Sequence, residues 1–541
     1  MKFKSNLTLS NLIHILFFIT IANLPIIANT SASHHQDLTT NNECQTIAFV
    51  RTDQNLNHLE TRFITKHTEY RTQNLTKFLN TQTNKNLTSD LKIAFCFSGG
   101  GYRAMIYSLG ILLGAEKIKL LPTVSYLSCL SGSTWSVGAY LSSHHKLQDL
   151  YHHFKVITQN NLTKFYRLDH LFDQYMQHKF LHQSSNLILL WSSLLANQIL
   201  NHVSQQKFSL RLSEQQYFAE HCAHLLPIYT AVIPNLITTE NIVHTYNYNW
   251  LEFTPYEISY TTELAAIPSW AFGREFNQGI SQNFTPELPF AYLMGIFGAA
   301  FTANLTEIYR ESQPLVALPV VDFKQPKLNY LKHLAHLRIL PAKINNFAFN
   351  LELEPYELGT RFWGWDKIKT QIDQRLQKIA HQQNIPAQKF TLLDAGIDCN
   401  LPLPPLLKPE RQIDVIIVFD ISSSLPAQTE LNKALKYARE KFNLIYAPEL
   451  IKNIQTTLQG LTHDQLTTNP YAPVIYCCQN QPLAPIILYL PADYPKISAY
   501  KTTNFNYSAE NFELLCNLGK VNIIKHAPVI KSVLRQRCLN Y

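Results

Sequence analysis

Three short stretches of this 541-residue chain carry residue types that could do covalent chemistry. The first is Ser98-Gly99-Gly100-Gly101-Tyr102-Arg103, which ends the apolar run Leu91–Phe97 and precedes apolar residues at helical spacing from Ala104 to Lys119. Three glycines between a strand and a helix let the backbone turn with its N–H groups outward, beside the positive end of the helix. Such a turn can hold a phosphate or a developing oxyanion, or it can be a tight turn that binds nothing. The phosphate-loop pattern fails because no Gly-Lys-Ser/Thr follows, and the glycine spacing is wrong for a dinucleotide site. The second stretch is Ser131-Gly132-Ser133, between the strand-like Val124–Leu130 and a helix from Thr134 onward. A serine at a sharp strand-to-helix turn exposes its hydroxyl above the sheet edge as a nucleophile. The plain alternative is a helix N-cap. The third is Leu392-Leu393-Asp394-Ala395-Gly396, ahead of Asn400-Leu401-Pro402 and the buried strand Asp414–Asp420. Asp394 could face the site as a base or simply cap its own turn. A histidine base would be the generic expectation, but the 21 histidines offer no clear candidate. His144 and His145 lie too far along the helix after Ser131.

The elements around these stretches decide whether they can meet. The glycine turn and the Ser131 turn lie one β-α-β unit apart, and a right-handed crossover puts both at the same carboxyl edge of a parallel sheet. The glycine amides and the Ser131 hydroxyl can then converge on one carbonyl, which is the geometry of acyl transfer. Residues 91–145 read as a compact β-α-β-α unit. Residues 33–90, rich in Asn, Gln and Thr, read as a loosely packed polar lead-in, and 146–245 as a mainly helical insertion or cap. No internal repeat of roughly 20–50 residues is present.

Composition sets the outer bounds. Hydrophobic residues make up 46% and charged residues 16%, which excludes a disordered or collagen-like chain and fits a large packed core. Only 16 glycines are present, so a cluster of them carries meaning. The formal charge of +8 suits an anionic lipid surface and is too diffuse to argue for nucleic acid. Lys2 and Lys4, the apolar stretch Leu12–Ile27 and the small residues Thr30-Ser31-Ala32 read as an export signal over residues 1–32. The expected location is secreted or periplasmic, with membrane association through an uncleaved anchor as the alternative. Nine cysteines include no zinc-like spacing with histidine, so no metal site is expected. Cys96, Cys129 and Cys399 read as small buried hydrophobes.

Phe97–Met105 and Leu130–Trp135 closely resemble the catalytic domain of the group IV cytosolic phospholipase A2 and fungal phospholipase B family. Asp394-Ala395-Gly396 and Asn400-Leu401-Pro402, with Pro409 and Arg411, resemble that family's second catalytic block. Phe253–Ile258, Gly295–Phe301 and Thr503–Tyr507 match further blocks in family order. The resemblance implies a three-layer α/β/α, patatin-like fold with a helical cap, and a Ser–Asp dyad in place of a triad. Ser131 would be the nucleophile, Asp394 the base, and the amides of Gly100 and Gly101 the oxyanion hole. Arg103 and Arg411 would bind the substrate phosphate with their guanidinium forks. The implied reaction is hydrolysis of fatty acyl esters of glycerophospholipids or lysophospholipids through an acyl-serine, at a peripheral membrane surface. No cofactor, nucleic acid or obligate protein partner is implied. The chain departs from the family at Cys129, where a glycine usually stands two residues before the nucleophile. The lead-in is too short and polar for a calcium-dependent lipid-binding module, so the chemistry is expected to be calcium-independent. Alternatives are an acyltransferase using the same dyad, a catalytically inactive exported lipid-binding protein, and a histidine-assisted esterase acting on other esters.

Overall fold

The computed structural model describes residues 46–80, 90–143, 146–160, 187–201, 209–237, 245–300, 342–351, 353, 388–422, 428–449 and 472–539. The expected export signal, His144, His145 and part of the expected cap lie outside the described residues.

Among the described residues, short runs of β-branched and aromatic residues form fourteen strands. They are β1 Ile93–Phe97, β2 Val124–Cys129, β3 Leu226–Ile237, β4 Thr245–Phe253, β5 Glu257–Tyr260, β6 Ala266–Pro268, β7 Phe276–Asn277, β8 Ile280–Ser281, β9 Ala342–Asn345, β10 Lys389–Asp394, β11 Val415–Asp420, β12 Tyr446–Glu449, β13 Val474–Cys478 and β14 Ile486–Pro491. Apart from the small β7–β8 hairpin, they make one twelve-stranded sheet, ordered β12-β13-β14-β11-β1-β2-β3-β4-β5-β6, with β10 joined to β3 and β9 joined to β10. The centre, from β14 through β11, β1 and β2 to β3, is parallel. Every residue of β1, β2, β11 and β14 is buried, as a parallel sheet covered on both faces demands. Alternate residues feed two separate cores. Phe95, Phe97, Leu127 and Cys129 belong to one, and Ala94, Cys96, Tyr126 and Leu130 to the other.

Helices form the outer layers. They are α1 His58–Lys66, α2 Thr68–Leu79, α3 Gly101–Lys117, α4 Gly132–Tyr140, α5 Leu147–Ile157, α6 Leu187–Ile199, α7 Phe290–Phe297, α8 Thr429–Phe442, α9 Ala509–Lys525 and α10 Ala527–Leu539. Leu109, Trp135, Leu150, Leu195, Leu293 and Leu515 carry α3, α4, α5, α6, α7 and α9 onto one core. Phe63 and Leu431 carry α1 and α8 onto the other. This is the three-layer arrangement expected. α3 packs tightly against α9, where a Cβ on Gly519 would stand 2.2 Å from the Tyr107 carbonyl oxygen.

Two boundaries are corrected. The described part of the lead-in, residues 46–80 and 90, is not loosely packed, because α1 and α2 bury Phe63, Ile64, Leu75, Phe78 and Leu79. Its helical spacing at Leu75, Phe78 and Leu79 is masked by a polar composition. The helical reading of 146–245 fails at its end, where β3 and the start of β4 stand. β3 is buried among its neighbours, so its apolar run shows no alternation, and periodicity alone does not tell it from a helix. Pro227 and Pro234 were the available signal against a helix.

Candidate active site

β2 ends at Cys129 and α4 begins at Gly132, leaving Ser131 to make the turn at φ 50° and ψ −131°. An L-residue adopts such a backbone only when its surroundings impose it. Ser133 Oγ accepts the Leu130 N–H at 3.2 Å and donates to the Leu130 carbonyl at 2.8 Å, while Thr134 Oγ1 donates to the Ser131 carbonyl at 2.6 Å. The Ser131 hydroxyl makes no capping bond, so the N-cap alternative is not what the fold uses it for.

The glycine turn packs directly on this elbow. A Cβ on Gly99 would sit 2.6 Å from Ser131 Cβ, and one on Gly132 would sit 1.9 Å from the Gly101 carbonyl oxygen. Gly100 and Gly101 have φ of 139° and 58°, so both the space and the backbone exclude a side chain. Among the described residues, neither the Gly100 nor the Gly101 amide donates a hydrogen bond. Both stand at the positive end of the seventeen-residue helix α3.

The register of the sheet explains how Asp394 arrives. Cys129, the last residue of β2, is level with Tyr229 of β3. β3 continues past that point, and β10 enters from the opposite direction, pairing Asp394 with Ala231 and Leu393 with Val232. The ends of β2 and β10 therefore meet along β3, with Ser131 and Asp394 at the same level. Asp394 is 1% exposed. Its Oδ1 accepts the Gly396 N–H at 2.9 Å, whereas Oδ2 is buried and makes no well-aligned hydrogen bond. Burial lifts this carboxyl from its ordinary value near 3.8 to about 7, against the opposing pull of the Gly396 amide and the nearby Ser131 hydroxyl. The Ser131–Asp394 contact is thus loose. Among the described residues, no histidine is a cause of the Asp394 shift.

Cys129 lies between Phe97 and Tyr229 of the flanking strands, fully buried, and burial pushes its thiol well up. It serves as a small apolar residue at the elbow, as do Cys96 and Cys399 in their own segments. Arg103 is beside the site. Its Nε donates to the Ile421 carbonyl at 3.0 Å and its Nη1 to the Tyr500 carbonyl at 2.6 Å. A Cβ on Gly100 would touch its Nη2 at 2.4 Å, so its charge stands against the glycine turn.

Arg411 is not at this site, which corrects the phosphate-binding expectation. It is 2% exposed, with Nε on Glu60 at 3.0 Å and Nη1 on Glu252 and the Pro405 carbonyl at 2.7 and 2.6 Å. Its guanidinium stands 5.7 Å from the Tyr126 ring, which lies about 16 Å before Ser131 at ~3.3 Å per strand residue. With its fork taken by two carboxylates, Arg411 holds α1 on the sheet. Arg411→Met is expected to lower stability by about 3–5 kcal/mol in urea denaturation, because Glu60 is left as a buried charge without its cation and Glu252 keeps only Lys408. An unchanged midpoint would contradict that role.

The sequence left two parts of the site unassigned. One is Asn400, whose side chain reaches Gly99. Its signal was a polar residue between the buried Cys399 and Leu401. The other is an aromatic cluster next to the elbow. Tyr102 lies 5.9 Å from Trp135 and 5.2 Å from Phe505, and Trp191 lies 6.2 Å from Trp135 and 5.3 Å from Phe505. The Thr503–Tyr507 block reaches the site because the Thr502 carbonyl abuts Gly101. Among the described residues, no cluster of His, Cys, Asp and Glu is arranged to hold a metal ion, and no helix is long and apolar enough to cross a membrane.

A central mixed sheet, helices on both faces and two tight turns at the carboxyl edge of its parallel strands define a patatin-like α/β protein. The profile of the lysophospholipase catalytic domain matches residues 93–511, and the chain belongs to that family. It is similar to mouse cytosolic phospholipase A2 delta, 28% identical over 377 residues that cover 63% of this chain and 44% of that protein. It is also similar to human cytosolic phospholipase A2 zeta, 26% identical over 499 residues that cover 82% of this chain and 56% of that one. The chain spans about half the length of the curated relatives it matches. Among solved structures, human GIVD cytosolic phospholipase A2 superposes with a TM-score of 0.69 at 20% identity, covering 91% of this chain and 68% of that one.

Proposed function

We propose that this protein hydrolyses fatty acyl esters of glycerophospholipids and lysophospholipids through an acyl-Ser131 intermediate, with Asp394 as the base. The observation that carries the reading is the meeting of a Ser131 hydroxyl that caps no helix, a carboxyl lifted to about 7 and two glycine amides that donate to no described residue. Asp394 takes the Ser131 proton as Oγ attacks the ester carbonyl, and the Gly100 and Gly101 amides receive the oxyanion. Each such donor stabilises the transition state by about 3 kcal/mol. Collapse expels the alcohol with the proton from Asp394, and a water activated by the same carboxylate releases the fatty acid. Ser131, Asp394 and water account for every proton of the proposed reaction, and calcium-independence is part of the reading that the assay below tests. Arg103, with two donors on backbone carbonyls, attracts the substrate phosphate through its charge more than through a fork. The aromatic cluster at Tyr102, Trp135, Trp191 and Phe505 receives the acyl chain. The names of the relatives support the substrate class, and one structural neighbour is described in complex with a fatty-chain fluorophosphonate. Residues 1–32 support export of the chain to a secreted or periplasmic location.

The test is release of labelled fatty acid by the full chain from phosphatidylcholine and lysophosphatidylcholine vesicles in the presence of a calcium chelator. Added acceptor alcohols separate hydrolysis from acyl transfer. Absence of both products on both lipids sinks the proposal. In the same assay, Gly132→Ala is expected to lose at least about 100-fold in kcat. Its methyl group would displace the Gly101 carbonyl and, with it, the oxyanion donors.

A further inference from the structure

Asn400 stands where the base's turn meets the glycine turn. Its side-chain Oδ1 accepts the Gly99 N–H at 3.1 Å, and its Nδ2 donates to the Gly99 carbonyl at 3.3 Å and to Ser422 Oγ at 2.7 Å. The orientation of this amide follows from chemistry, since a peptide N–H can only donate and must face the oxygen. The residue is itself anchored, because its backbone N–H donates to the buried Glu430 Oε2 at 2.7 Å. Ser422 is held in turn through its N–H on Asp420 Oδ1 at 2.9 Å, and Asp420 Oδ2 accepts the Tyr489 hydroxyl at 2.8 Å.

The Gly99 carbonyl belongs to the same peptide plane as the Gly100 N–H. In a planar trans peptide these two bonds point in opposite directions. Fixing the carbonyl on Asn400 therefore aims the Gly100 N–H away from Asn400 and into the site. Glycine has no side chain to restrain that plane, and Gly100 sits at a φ that only glycine adopts freely. Without an outside clamp, the plane is free to rotate. Asn400 also stands close to the base. A Cβ on Gly396 would meet Asn400 Oδ1 at 3.0 Å and Asp394 Oδ1 at 3.2 Å.

We infer that Asn400 is a positioning residue that aims the Gly100 amide at the oxyanion and ties the oxyanion turn to the base. This rests on the acyl-transfer reading above. The experiment measures kcat, KM and the pH profile of the full chain on lysophosphatidylcholine, for wild type, Asn400→Ala and Asn400→Asp. It adds the rate at which a fluorophosphonate labels Ser131, and thermal unfolding of each variant. Asn400→Ala is expected to lower kcat by about 30- to 100-fold with KM changed less than about threefold, and to slow labelling in parallel. Asn400→Asp keeps the acceptor for Gly99 N–H but loses the donor to its carbonyl and places a carboxylate beside Asp394. It should lower kcat and move the ascending limb of the pH profile up by about one unit, a shift absent from Asn400→Ala. A folded Asn400→Ala with wild-type kcat, a loss confined to KM, or an unshifted limb in Asn400→Asp each overturn the inference. If Asn400→Ala does not fold, the near-isosteric Asn400→Asp decides it alone. An inactive wild type marks failure of the acyl-transfer reading itself, whereas an active wild type with unaffected variants marks failure of this inference only.

Discussion

Ser131→Ala is expected to lower fatty acid release by at least about 10⁴-fold while leaving the fold intact. The hydroxyl is not used as a cap, and the turn is held by Ser133 and Thr134 instead. Removing it therefore takes no structural hydrogen bond away. Alanine carries the same backbone strain at φ 50°, so the elbow geometry should persist. What remains is the polarisation of the ester by two amides, which alone gives only a modest rate over water. Release assays on the full chain, with thermal unfolding as the control, check both halves of this expectation. A loss of less than about tenfold would mean that another nucleophile carries the reaction.

Asp394→Asn is expected to cost about 10³- to 10⁴-fold in kcat and, in the same molecule, to raise stability at alkaline pH. The wild-type rate should climb with pH through about 7, because only the ionised carboxylate takes the serine proton. The stability effect has the opposite sign. The folded carboxyl titrates near 7 and the unfolded one near 3.8, so the native state favours the protonated form. That contribution is full below the unfolded value and fades as pH rises through the folded one. Above it, an ionised and buried Asp394 costs roughly 4 kcal/mol. Asparagine never ionises and is free of this cost. Urea denaturation at about pH 4 and pH 8 should show similar stability for the two proteins at the lower pH and a more stable variant at the higher one. An equal difference at both pH values, or a flat rate profile around 7, would remove Asp394 from the role of base.

Much of the scaffold was legible because parallel strands buried on both faces leave apolar runs that stop abruptly at their turns. β1, α3, β2, α4 and β11 all stand close to where those runs place them. The glycine turn and Ser131 were legible for the same reason, since each interrupts such a run with small residues. The meeting of β10 with the end of β2 was not. It depends on β3 outlasting β2, and β3 carries a run that fits helix and strand alike. Arg411 was assigned to the phosphate by the resemblance alone, and its local sequence, Lys408-Pro409-Glu410-Arg411, gives no sign of where its guanidinium goes. Its partners, Glu60 and Glu252, come from a helix and a strand far away in the chain. Cys129 departs from the family's usual glycine, and the structure places it fully buried between Phe97 and Tyr229 as a small apolar residue.

The way β10 slots in along β3 also sets when the site comes into being. Synthesis delivers the Ser131 elbow, its helix and β3 well before residues 389–394 exist. Until that strand docks, the nascent chain carries an alcohol with no acceptor for its proton. The proposed proton acceptor arrives when one short antiparallel strand closes the gap at the end of β2, and the Tyr500–Phe505 segment is added against the glycine turn later still. On the function proposed above, Ser131 is therefore without its base for most of translation.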